Sequence, residues 1–253
     1  MYAAERQQQI LSVARAEGRV EVVALAENLG VTAETVRRDL TALERRGSLR
    51  RVHGGAIPVE RLQLEPTLGA RVGHLAQVKR RIAARALSEL PHEGTILLDS
   101  GTTTQALVEL LPPDLDLTVV TNSIPAAAAL AHRPGISLYV LGGRVRGATG
   151  ASVGTWGTGP LASLCADVAV MGTNGFSAGR GLTTPDQAEG EIKRALIRAA
   201  RRTIVLADAT KAGDDHLHRF GAFAEVDMLI SDESLADEVA DEIRSAGPEV
   251  VLA

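Results

Sequence analysis

The sequence predicts an α/β protein in two parts: an N-terminal winged helix-turn-helix domain and a larger, largely parallel α/β domain. Three observations carry this. From Val22 to Arg51 the chain reads as two short helices joined by a tight turn, followed by a basic strand. Beyond residue 75, apolar runs of strand length alternate with segments of helical period. Between Arg37 and Arg51, six arginines face only Asp39 and Glu44. At 253 residues the chain is long enough for both parts. We expect a DNA-binding domain at 1–57, a linker at 58–74 around Pro58 and Pro66, and an α/β domain at 75–253.

In the first part, residues 3–17 form a helix with Ile10, Leu11 and Ala14 inward, ended by Gly18. Val22, Val23, Leu25, Ala26 and Leu29 mark a second helix. Gly30 supplies the left-handed turn residue, and Thr32 caps a third helix in which Thr35 stands where a capping-box glutamate would. Val36, Leu40 and Leu43 share its inner face. Thr32, Ala33, Thr35, Arg37 and Arg38 lie outward at its N-terminal end, the part of a recognition helix that meets base edges. Gly47 stops the helix. LRRVHGGAIP then reads as strand, turn and strand, a wing that brings Arg50, Arg51 and His53 to phosphates or the minor groove. A helical oligomerisation module would explain the helices, but not the turn glycine, caps, arginine pair and wing together.

In the second part a helix carries Val78, Ile82 and Ala86 inward. Seven strand-like runs follow: 95–99, 117–121, 136–141, 167–171, 203–207, 227–231 and 249–252. Near-continuous apolar strands separated by helices imply a parallel sheet covered on both faces, with ligands beyond the strands' carboxyl ends. Small, amide, hydroxyl or charged residues crowd those ends: Ser100-Gly101-Thr102-Thr103-Thr104, Asn122-Ser123, Gly142-Gly143-Arg144, Gly172-Thr173-Asn174-Gly175 and Asp208-Ala209-Thr210-Lys211. The first, opening into a helix, is an anion cradle well suited to phosphate; the alternative is a plain helix cap. Thr183 and Thr184 precede Pro185. Glu189 and Lys193, at i, i+4, form either a surface ion pair or part of a pocket.

Composition narrows the function. Aromatics make up 2% of residues, so the core is aliphatic and a base-stacking single-strand binder is disfavoured. Net charge is −4, but residues 1–60 hold 9 Arg against 8 Asp and Glu, and local field governs phosphate contact. Only Lys79, Lys193 and Lys211 are lysine among 27 basic residues; Lys79 reads as incidental or locally structural. No apolar run reaches the roughly 18 residues of a membrane helix, no signal pattern opens the chain, and one cysteine, Cys165, forms no internal disulfide; cytoplasmic residence is expected. Cys165 itself reads as buried. The histidines, His216 and His218 included, show no metal spacing, and no metal or cofactor is expected.

GVTAETVRRDLTALERRGSLRRVHGGA resembles the winged helix-turn-helix of the DeoR family of bacterial sugar-metabolism regulators. LLDSGTTT, VVTNS, LGGRVR, GTNGF, GLTTPDQAEGEIK and ADATK resemble successive motifs of its C-terminal sensor. The resemblance implies a sensor related in fold to ribose-5-phosphate isomerase and the CoA-transferases, holding a phosphorylated sugar. It places Ser100, Gly101, Thr102 and Thr103 on the phosphate with Lys211 behind them, and Asn122, Asn174, Glu189 and Lys193 on sugar hydroxyls. Asp99, Gly143 and Thr184, in the same motifs, complete the expected effector site. GTNGF with GLTTPDQ looks most like the fructose-repressor branch, which points to a fructose phosphate. The expected protein is a DNA-binding repressor of sugar-catabolism genes, a homodimer or homotetramer on double-stranded operator DNA, released by the sugar phosphate. The alternative is a sugar-phosphate isomerase with a DNA-binding head. Thr173 and Asn174 stand where such isomerases place acidic residues, and asparagine cannot act as a base, so no enzymatic activity is expected.

Overall fold

The computed structural model describes residues 3–45, 48–52, 54–58 and 68–253. The chain divides into two compact units, Met1–Glu65 and Pro66–Ala253.

The first unit runs α1 (Ala3–Glu17), β1 (Val20–Glu21), α2 (Val22–Leu29), α3 (Ala33–Arg45), β2 (Leu49–Val52) and β3 (Gly55–Pro58). Gly30 is left-handed at φ 62° and ends α2, which turns the chain into α3 at no Cβ cost. The Thr32 hydroxyl accepts from the Thr35 amide at 3.2 Å and lies 2.9 Å from the Thr35 hydroxyl, so the cap of α3 forms. Ile10, Leu25, Val36, Leu40, Leu43 and Leu49 make the core. Asp39 is buried and ties α3 to α1, taking Arg6 Nε at 2.5 Å and Gln7 Nε2 at 2.9 Å. The expected two-stranded wing carries a third strand: short β1 pairs with β3, giving the order β1-β3-β2. A two-residue strand leaves no periodicity in a sequence.

The second unit contains α4 (Leu68–Gly73), α5 (Ala76–Leu87), β4 (Glu93–Leu98), α6 (Thr102–Leu110), β5 (Asp116–Thr121), α7 (Ile124–Leu130), β6 (Ile136–Val140), β7 (Arg144–Val145), β8 (Ser152–Val153), α8 (Thr155–Leu161), β9 (Ala166–Gly172), β10 (Gly175–Ser177), β11 (Gly181–Thr184), α9 (Gln187–Arg198), β12 (Ala200–Leu206), β13 (His218–Gly221), β14 (Met228–Ser231), α10 (Asp237–Ser245) and β15 (Glu249–Leu252). The seven expected strands form one sheet, β15-β14-β12-β9-β4-β5-β6, parallel at every pairing. Alternate residues feed opposite faces: Ile96, Leu98, Val168 and Val170 pack with α5, α6 and α7, while Leu97, Ala169 and Met171 pack on the other side with Ile192 and Leu196 of α9.

Two expectations are corrected. Pro58 belongs to β3 and Leu68–Gly73 is helical within the second unit; of the expected linker, residues 59–67 lie outside the described residues. Cys165 is exposed, not buried, because it sits in the loop after α8 rather than in a strand. Among the described residues no helix is long and apolar enough to cross a membrane.

Candidate functional site

The first unit presents a basic groove. Arg37 and Arg38 project from α3 and are exposed, each near Glu34 at 3.6 and 3.9 Å, contacts worth little at such exposure. Together with Thr41, Ala42, Arg45 and Arg51 they line one surface groove. The wing is docked onto α3 there: the Arg51 amide donates to Glu44 Oε1 at 2.9 Å and its guanidinium to the Thr41 hydroxyl at 3.3 Å. The structure therefore brings Arg37, Arg38 and Arg51 together. Arg50 is half-buried on β2, and Thr32 and Thr35 are engaged in the cap. His53 lies outside the described residues. Sequence reasoning did not select Arg45, although it follows Arg37 and Arg38 by two helical turns on the same face.

The second unit gathers polar groups at the carboxyl ends of β4, β9 and β12. Arg71, Ser100, Gly101, Thr103, Thr149, Gly172, Thr173, Asn174, Glu189, Lys193 and Lys211 line one cleft. Helix α6 opens at Gly101 with no side chain capping it, and its first amides have no intrahelical partner; Gly101 and Thr103 line the cleft. The Thr103 hydroxyl is buried with no hydrogen-bond partner, and the residue is 2% exposed. Thr104 is occupied, donating to the Gly101 carbonyl at 3.0 Å. A plain Ser/Thr cap is therefore not what this loop makes.

The cations are held individually. Lys193 Nζ contacts the carboxylate of Asp99, which is completely buried, and donates to the Gly172 carbonyl at 3.0 Å. The ring of Phe220 lies 5.3 Å from the same ammonium, within cation–π reach. Burial pushes the Asp99 carboxyl upward against the pull of Lys193 and of the Gly172 amide. Lys211 donates to the Thr173 carbonyl at 2.7 Å and lies 3.9 Å from Asp208; loss of hydration lowers its pKa, and Arg71 and Lys193 add to that. Glu189, 2% exposed, takes Arg146 at 2.7 Å and the Thr149 hydroxyl. Glu189 and Lys193 are thus both buried, each bound to a partner elsewhere rather than paired along α9.

Of the expected effector residues, Ser100, Gly101, Thr103, Asn174, Glu189, Lys193 and Lys211 line the cleft. Asp99 stands behind Lys193. Asn122 braces the loop instead: its side-chain oxygen accepts from the Ser100 amide at 3.1 Å. Gly143 packs against β8, where a Cβ would come within 2.3 Å of the Val153 carbonyl oxygen. Thr102 faces a neighbouring groove with Val72, Lys79 and Gln105. Thr184 is buried beside Gly190 of α9. Arg71 and Thr149 were not anticipated, Arg71 because the stretch around it lacks periodicity.

The helix-turn-helix and the cleft have counterparts among known proteins. A family model described as the DeoR-like helix-turn-helix domain matches residues 6–61, and one described as the DeoR C terminal sensor domain matches residues 75–233. The chain belongs to the DeoR family. It is accordingly a DNA-binding transcriptional regulator with a sensor domain. Full-length DeoR relatives agree: the HTH-type transcriptional regulator GlpR of Haloferax volcanii is 35% identical over 99% of this chain and 98% of its own. The HTH-type transcriptional repressor GlcR of Bacillus subtilis is 32% identical over 100% and 97%. Among solved structures, ribose 5-phosphate isomerase A from Neisseria gonorrhoeae shows a partial likeness, over 53% of this chain and 52% of its own at 16% identity and TM-score 0.40.

Proposed function

We propose that this regulator is a repressor of sugar-catabolism genes, relieved when a phosphorylated sugar occupies the cleft. The observation that carries the reading is the buried, unpartnered Thr103 hydroxyl beside the uncapped start of α6, within a wall that also holds Lys193 and Lys211. Buried polar groups without partners are costly, and a phosphate group accepts from hydroxyl, amide and ammonium donors at once. Ser100, Gly101, Thr103 and Lys211 take the phosphate in this reading; Asn174, Glu189 and Lys193 take the sugar. Binding rather than turnover is supported by Asp99, whose Oδ2 is held by Lys193 and the Gly172 amide. A general base needs a carboxylate directed at substrate.

The groove of Arg37, Arg38, Arg45 and Arg51 takes the operator. A single winged helix per chain reads few base pairs, so the working form is a homodimer or homotetramer in the cytoplasm, on paired half-sites. The test is a thermal-shift panel of pentose and hexose phosphates, fructose phosphates included, against the parent sugars. Stabilisation by a phosphate ester, absent with its parent sugar and lost in Thr103→Val, supports the reading. No shift with any phosphate ester rejects it.

A further inference from the structure

The cleft is nearly closed. Its interior is about 20 Å³, whereas one water needs roughly 10–15 Å³ and sites for small organic ligands run to about 300–1,000 Å³. A sugar phosphate seated fully inside needs a wall to move. The floor is fixed: the Ser100 amide is held by Asn122, the Gly172 amide by Asp99 at 3.0 Å, and Lys193 by Asp99 and the Gly172 carbonyl, all buried.

The opposite wall is built differently. Arg71 of α4 reaches the carbonyl of Ala148 at 3.4 Å, near the outer limit of a hydrogen bond. Leu68 of the same helix lies over Gly150, close enough that a side chain added there would meet it. Helix α4 has six residues and joins α5 through Leu75, the only described non-glycine residue with a left-handed backbone, at φ 54°. That conformation costs an L-residue about 1–2 kcal/mol and marks a joint. Lys79 Nζ clasps the joint, donating to the Arg71 and His74 carbonyls at 2.7 Å each.

We propose that α4 is the movable wall of the effector site and that Arg71 is its ligand-binding residue, exchanging the Ala148 carbonyl for the anionic group of the incoming effector. This rests on the assignment of the cleft as the phosphate site. It names the element that responds to occupancy: among the described residues, α4 is the first element after the wing strand β3. A guanidinium suits the task, since its planar fork grips phosphate oxygens in pairs.

The experiment uses the full chain, with inorganic phosphate, fructose 1-phosphate and fructose 6-phosphate as probes in calorimetry. Hydrogen exchange of residues 68–75 is followed with and without the tightest-binding probe. Arg71→Ala weakens that probe about 10- to 100-fold, Arg71→Lys falls between the variant and the parent, and binding alters exchange in α4 of the parent protein only. Wild-type affinity in Arg71→Ala, or α4 exchange that does not respond to bound probe, overturns the proposal. If Thr103→Val loses the probe while Arg71→Ala keeps it, the site stands and the movable wall falls. If neither variant changes binding, the site itself is misplaced and the proposal goes with it.

Discussion

Three lysines in an arginine-rich chain converge on one place. Lys193 and Lys211 line the cleft, and Lys79 clasps the helix joint beside it. The rarity of lysine marked Lys193 and Lys211 in the sequence. Lys79 was legible only as local structure, because its partners are backbone carbonyls that no motif encodes. An ammonium is a compact donor that fits between Asp99 and the Gly172 carbonyl, where a planar fork would not. Replacing Lys193 by Met leaves Asp99 buried without its counter-charge, and urea unfolding is expected to show a loss of about 3–5 kcal/mol. Asp99→Asn in the Lys193→Met background recovers part of that loss. Equal stability of the single variant and the parent contradicts the assigned ion pair.

Elements were more legible than contacts. The seven strands and the helices of the head follow from apolar period, caps and glycine. What escaped were the short pieces, the strands β1, β7, β8, β10, β11 and β13 and the helices α4 and α8, and with α4 went Arg71. Side-chain bonding also escaped: Asn122 and Ser100 sit in separate motifs, and nothing in either says that one holds the other. At this scale the cap of α3 is testable. Thr32→Ala is expected to lower the stability of the DNA-binding unit by about 1 kcal/mol, read from its own melting transition. The clasp of α4 on α5 is testable by pH. Burial, then the neighbouring Lys211 and Arg71, bring Lys79 down from 10.5 to about 8, opposed by Asp208. A bound anion favours the charged amine, so effector affinity weakens as pH rises through about 8, and binding near that pH takes up protons. Calorimetry in buffers of different ionisation heat detects this uptake; none at pH 8 rejects the coupling. For folding the sign is the reverse: between about 8 and 10.5 the unfolded chain keeps a proton that folded Lys79 has lost, so this group's contribution to stability rises with pH over that window.

At the scale of the whole molecule, charge separates the two tasks. The chain is net acidic, −4, yet its first unit carries a groove lined by Arg37, Arg38, Arg45 and Arg51. Operator affinity is expected to fall linearly with the logarithm of salt concentration, and Arg45→Ala to reduce that slope by about 1 if it meets a phosphate. Effector affinity in the same variant stays at the parent value; a salt slope that does not change removes Arg45 from the contact surface. The sheet itself has a further consequence. Because all seven strands run parallel, the loops of the candidate effector site share one edge, while the apolar layers lie beneath. Change at those loops is then separable from change in the layers beneath, save at Asp99 and Lys193, whose ion pair is buried and belongs to both.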